Sequence, residues 1–127
     1  MSILTIAVGE IRLNVKTLDT ATAIAIMNAC PMSASLSTWG DEVYFPIPVN
    51  VKSESNAKSV VEPGEIAYWP DGNAIAIGFG PTPLSRGREI RLASPCNIWG
   101  RALDDVKAFA GIQAGVKVTV DLAKEGT

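Results

Sequence analysis

Ile3-Leu4-Thr5-Ile6-Ala7-Val8-Gly9-Glu10-Ile11-Arg12-Leu13-Asn14-Val15-Lys16 decides the fold. In its second half Ile11, Leu13 and Val15 alternate with Arg12, Asn14 and Lys16. Successive side chains of a strand point to opposite faces, so this one has a dry face and a wet one. In the first half Leu4, Ile6 and Val8 alternate with Ile3, Thr5 and Ala7, a strand with at least one buried face. Gly9-Glu10 is a Gly-X turn that closes the two into a hairpin. The same period returns near the other end. There Val116, Val118, Val120 and Leu122 alternate with Lys117, Thr119, Asp121 and Ala123. Glu125-Gly126-Thr127 reads as a frayed tail.

Working inward, Asp19 or Thr20 can cap a helix, and Ala23, Ile26, Met27 and Cys30 give it one apolar face. Pro31 stops it. The middle is β in character: Ala34 to Trp39, then Glu42 to Phe45, with Pro46 and Pro48 unable to donate to a ladder. Ser53 to Lys58 is polar and reads as a loop. Glu62-Pro63-Gly64-Glu65 has the signature of a type II turn, with Gly64 supplying the positive φ. Ile66 to Trp69 and Ala74 to Phe79 form a hairpin about Asp71-Gly72. A loop from Gly80 through Arg86, Arg88 and Arg91 precedes a strand at Asn97-Ile98-Trp99. Leu103, Val106 and Ala110 mark a second short helix, with Asp104 and Asp105 in its first turn. About eight short strands and two short helices predict a mainly β, closed barrel, one domain over residues 1–127.

Composition narrows the chemistry. The 127 residues include 11 Lys and Arg, 13 Asp and Glu, and no histidine, for a net charge of −2. No basic footprint suggests nucleic acid, and no apolar run is long enough to span a bilayer. The start of the chain has no basic lead-in, so no signal peptide is expected. Without histidine there is no Ser-His-Asp triad, no His-ligated zinc and no imidazole base. Cys30 and Cys96 belong to no metal or redox spacing and read as buried thiols of a cytoplasmic protein. No metal and no cofactor are expected.

Three blocks carry a family resemblance: Thr38-Trp39-Gly40-Asp41-Glu42-Val43-Tyr44-Phe45 with Pro48-Val49, Val61 to Pro70, and Phe79-Gly80-Pro81-Thr82-Pro83. They resemble the small cyclophilin-like proteins of bacteria and archaea, a largely uncharacterised family. The resemblance implies an eight-stranded β-barrel with two helices, in agreement with the elements read above. Trp99 to Val106 is similar to the strand, glycine, basic residue and short helix that end the barrel of true cyclophilins. The Phe-His-Arg run, the Gln-Gly-Gly segment and the histidine of those isomerases have no counterpart, and no arginine stands between Arg12 and Arg86. A prolyl isomerase must stabilise a twisted amide against a barrier near 20 kcal/mol. A guanidinium aimed at the prolyl nitrogen is the device that the resemblance implies for it.

Trp39, Tyr44, Phe45, Tyr68, Trp69 and Phe79 all lie in these blocks. They read either as an aromatic cleft for a peptide or small apolar ligand, or as strand packing. Core packing is the preferred reading for Phe45 and Phe79. Asp41 and Glu42 are adjacent on a strand, so they face opposite ways and do not form a carboxylate pair; Glu42 is the better site candidate. Thr82 offers a loop hydroxyl. Arg101 can bind an anion or pair with Asp104 or Asp105. Gly78-Phe79-Gly80 lacks the lysine and following helix of a phosphate cradle. The expected ligand-binding set is therefore Trp39, Glu42, Tyr44, Tyr68, Trp69, Phe79, Thr82 and Arg101. The leading reading is a module that binds a peptide or small molecule. An atypical prolyl isomerase and a protein partner within a larger enzyme assembly are the alternatives. The oligomeric state has no signal in the sequence.

Overall fold

The computed structural model describes residues 2–123, so the tail reading of Glu125–Thr127 lies outside the described residues. The opening hairpin forms as read: β1 (Ile3–Val8) pairs antiparallel with β2 (Ile11–Thr17), Val8 opposite Ile11. Gly9 turns the chain at φ +59°, a conformation that favours glycine. Helix α1 (Ala21–Ala29) starts at Thr20, whose side chain accepts from the Ala23 amide at 3.0 Å. Ala23 and Ile26 are buried, while Met27 and Cys30 are half-buried.

The strands that follow are β3 (Met32–Ser35), β4 (Ser37–Thr38), β5 (Glu42–Pro46), β6 (Lys58–Val61), β7 (Glu65–Trp69), β8 (Ala74–Gly78), β9 (Ile90–Ala102) and β10 (Lys117–Leu122). Nine of them run in the order β3-β10-β1-β2-β9-β7-β8-β5-β4, and β6 pairs with β9 off that path. The two edge strands, β3 and β4, are one chain segment interrupted at Leu36. The segment itself thus brings the sheet's ends together, and the barrel is nearly closed with eight staves. Leu36 is tied to the β10 side: its amide donates to Val116 O at 2.9 Å and its carbonyl accepts from Gly115 N at 2.8 Å. Closure leaves few strand edges unpaired.

Three details differ from the sequence reading. The second helix is a single 3-10 turn, Val106–Phe109, capped by Asp105. Too few residues separate Asp105 from Gly111 for an α-helix to repay its nucleation. Leu122 is exposed at the end of β10 despite the alternation. The segment from Ile90, read as loop up to Asn97, is the first half of a 13-residue strand.

The interior holds Leu4, Ile6, Val8, Leu13, Val15, Val118 and Val120 from the hairpin and its neighbour, together with Phe45, Tyr68, Ile75, Ile77 and Trp99. Val106 and Phe109 of the 3-10 turn join the same core. Gly100 lies where β9 crosses close to β2, and a Cβ there would collide with Val15. Asn97 fastens the Val49–Ala57 connection to the barrel. Its amide donates to Thr22 Oγ1 and to Lys52 O, each at 3.0 Å, and its Oδ1 accepts from Glu54 N at 2.8 Å. A second, smaller cluster lies outside this core: Val61, Ala67, Ala76, Ile90, Leu92 and Cys96, with Tyr44 and Trp69 against it. The functional candidates sit there.

Candidate functional site

Strand alternation sorts the aromatic blocks between two faces. On β5, Val43 and Phe45 join the main core, while Glu42 and Tyr44 face outward. On β7, Ile66 and Tyr68 point in, and Ala67 and Trp69 point out. Ala76 of β8 lies between them. The first half of β9 folds over this outer wall. Gly78 makes room for it, since a Cβ there would collide with Ile90.

A pairing irregularity then opens a cleft. Lys58 of β6 sits opposite Cys96 of β9, and Val60 opposite Arg91. Where β6 advances from Lys58 to Val60, β9 runs from Cys96 back to Arg91, so its residues 92–95 bulge out of the ladder. Bulges re-aim side chains, and Leu92, Ala93 and Cys96 form one wall of the cleft. Trp39, Glu42, Tyr44, Trp69 and Ala76 form the rest, around a volume of about 240 Å³.

The rings are held in place. Tyr44 and Trp69 meet edge to face, with centroids 6.4 Å apart and planes at 83°. The indole Nε1 of Trp69 donates to Ser94 Oγ at 2.8 Å, and Ser94 Oγ donates on to Asp71 Oδ2 at 3.2 Å. Asp71 lies in the 3-10 turn Pro70–Gly72, which ends at Asn73 in the left-handed region, φ 48°.

Two glutamates are buried in this part of the molecule, Glu42 at 6% exposure and Glu65 at 5%. Burial opposes ionisation of both. At Glu65 it is outweighed by the Lys58 ammonium at 2.8 Å and the Glu62 amide at 2.7 Å, which hold that carboxyl below its usual range. Glu42 has no such help: its Oε1 is buried without a hydrogen-bond partner among the described residues, and burial pushes its carboxyl up to about 7. Nearby, burial first and the charges of Glu42 and Asp71 second push the Cys96 thiol up to about 12. The cleft therefore holds a neutral thiol and a carboxyl poised between its two forms.

Of the expected set, Trp39, Glu42, Tyr44 and Trp69 come together here, and the other four lie elsewhere. Tyr68 is fully buried in the core, where its hydroxyl donates to Val49 O at 2.7 Å and accepts from Asn73 Nδ2 at 3.0 Å. Phe79 packs against the main core and borders a different cavity, with Arg88 and Glu89. Thr82 shapes its loop, its hydroxyl bonding the Arg91 carbonyl and its amide donating to Ser85 Oγ at 2.8 Å. Arg101 is exposed on β9 opposite Glu65, while Asp104 accepts from the Asn14 amide and Asp105 caps the 3-10 turn. Leu92, Ala93, Cys96 and Ala76 were not expected. The alternation of Ile90 and Leu92 with Arg91 and Ala93 is the signal that marks their strand.

The comparisons agree with this architecture. A family model described as Cyclophilin-like matches residues 2–121, and the chain belongs to that family. It is similar to the solution structure of a hypothetical protein from Archaeoglobus fulgidus, at 36% identity and a TM-score of 0.83, over 96% of this chain and 95% of that one. No curated protein matches the sequence. Among the described residues no helix is long and apolar enough to cross a membrane.

Proposed function

We propose that this chain is a ligand-binding module, one domain whose outer-wall cleft takes a peptide or a small molecule. The cleft itself carries the reading: three aromatic side chains and one buried carboxyl converge on a preformed concavity of about 240 Å³. That is slightly below the range of about 300–1,000 Å³ for drug-sized ligands, so it suits a small molecule or one or two side chains of a peptide. Ring positions set before binding reduce the ordering cost of association.

The lining supports binding over isomerisation. It includes no arginine, so the guanidinium expected of a prolyl isomerase has no counterpart in it. Arg91 is engaged by Glu89 at 2.5 Å, and Arg86, Arg88 and Arg101 are exposed elsewhere. The two unpaired cysteines and the acidic balance fit a cytoplasmic setting without nucleic-acid partners.

The test is an NMR exchange experiment on a panel of X-Pro peptides that also records the protein's amide shifts. Shifts confined to Trp39–Tyr44, Trp69 and Leu92–Cys96 without catalysed cis/trans exchange are expected. Catalysed exchange would replace this reading with the isomerase.

A further inference from the structure

Resting on the cleft as a ligand site, we infer that it recognises an organic ammonium group, with apolar substituents against Trp39, Tyr44 and Trp69 and the charge facing Glu42. Glu42 is the first reason. A glutamate that is only 6% exposed, with one carboxyl oxygen buried and unpartnered, is costly in the free protein, and a ligand that completes it removes that cost. A cation completes it best, because it also favours the ionised form.

The aromatic walls point the same way. Cations are drawn to the faces of Trp and Tyr rings within about 6 Å of their centroids. Tyr44 and Trp69 stand at 83° to each other, and Ser94 fixes the Trp69 indole. Two perpendicular rings, a third from Trp39 and one carboxylate form a cage for an alkylated or primary amine.

Charge around the cleft agrees. Tyr44 of β5 and Cys96 of β9 share the lining with Glu42, Asp71 in the turn after β7 acts on Cys96, and Asp41 just before β5 lies against Gly80 instead. β8 contributes only Ala76 to the wall. None of these groups is basic. Lys58 of β6, opposite Cys96, has its ammonium on Glu65. An anion would meet the Glu42 carboxyl in this lining and no cation. A metal ion has too few ligands, since the described residues contain no group of three or more His, Cys, Asp or Glu side chains able to hold one.

Binding of an ammonium must then follow the ionisation of Glu42. With its carboxyl at about 7, affinity should rise about tenfold between about pH 6 and about pH 8. A ligand that accepts a hydrogen bond from the protonated carboxyl would show the opposite slope.

The experiment titrates the full chain with choline and with its neutral carbon isostere, dimethylbutanol, following indole and amide resonances at both pH values. Choline is expected to bind about tenfold more tightly or better at the higher pH, to lose about tenfold at the lower, and to lose its advantage in Glu42→Gln. The wild-type pH comparison carries the test independently of the variant's folding. Equal affinities, tighter binding of the alcohol or the reverse pH slope would overturn the ammonium assignment and leave the cleft as a ligand site. So would silence from both probes while an X-Pro peptide shifts the cleft residues. Silence from all three would overturn the assignment and the binding reading together.

Discussion

The ring of Trp69 rests directly over Gly72, so closely that a Cβ on Gly72 would collide with ring atoms Cε3 and Cζ3. The φ of Gly72 is not positive, so an alanine can adopt its backbone and the conflict is with the indole alone. Gly72→Ala should therefore push Trp69 aside and break its 2.8 Å bond to Ser94. The stability cost is expected to be about 1 kcal/mol, the net worth of one hydrogen bond. Cleft binding should suffer more than folding. An unchanged Trp69 indole resonance in the variant would show that the ring is not seated as described.

The isolation of Glu42 makes stability depend on pH. Its carboxyl titrates at about 7 in the folded protein against an ordinary value of 4.5. Between those values the folded state holds a proton that the unfolded chain has released. The contribution of Glu42 is therefore full below about pH 4.5, declines as pH rises and levels off above about pH 7. The total loss is about 3 kcal/mol at most. Glu42→Gln has no proton to lose. Urea unfolding should show variant and wild type alike near pH 4, with the variant gaining steadily up to neutrality. A pH-independent difference would mean that solvent reaches the carboxylate.

Tyr68 and Trp69 are neighbours in sequence with opposite duties. Tyr68→Phe keeps the ring in the core and removes the hydroxyl that donates to Val49 O and accepts from Val51 N and Asn73 Nδ2. Asn73 Nδ2 and Val49 O keep their own 3.1 Å bond, so the Val51 amide alone loses its partner, which should cost about 1 kcal/mol. Ligand binding in the cleft should not change, because the side chain points to the other face of the sheet. Weakened binding at full stability would place Tyr68 in the site after all.

The contrast shows where the sequence was readable. The β1–β2 hairpin, the Thr20 cap and the turn at Gly64 each rest on local chemistry, and each formed as read. Trp39 and Trp69 are marked by polar rings beside turns, and Glu42 and Tyr44 by their place in a specific block. Tyr68 flanks a turn and carries a polar atom just as Trp69 does, but strand alternation puts it on the other face. The first half of β9 is masked because Arg86, Arg88 and Arg91, before and at its start, read as a solvated loop. Its strand character comes from pairing with β6, distant in the chain, and from Gly78 leaving space for Ile90. The alternation of residues 90–93 marks a strand there, but the cleft wall built from Leu92 to Cys96 depends on a non-local register that this local pattern does not set.

The alternation of β10 can be tested with one charge placed on either face. Val118 is fully buried, opposite Val8 on β1 and Ala34 on β3, whereas Thr119 beside it is exposed. Val118→Asp would bury a carboxylate among apolar side chains with no cation to receive it, at a cost of several kcal/mol. That is a large part of the about 5–15 kcal/mol that holds a small domain folded, so the variant should be largely unfolded by circular dichroism. Thr119→Asp carries the same charge to the wet face. It should cost about 1 kcal/mol or less, mainly through lower β-propensity. If the two variants were equally stable, the inward face of β10 would not be the one that Val118 and Val120 define, and the closure of the barrel through β3 would have to be redrawn.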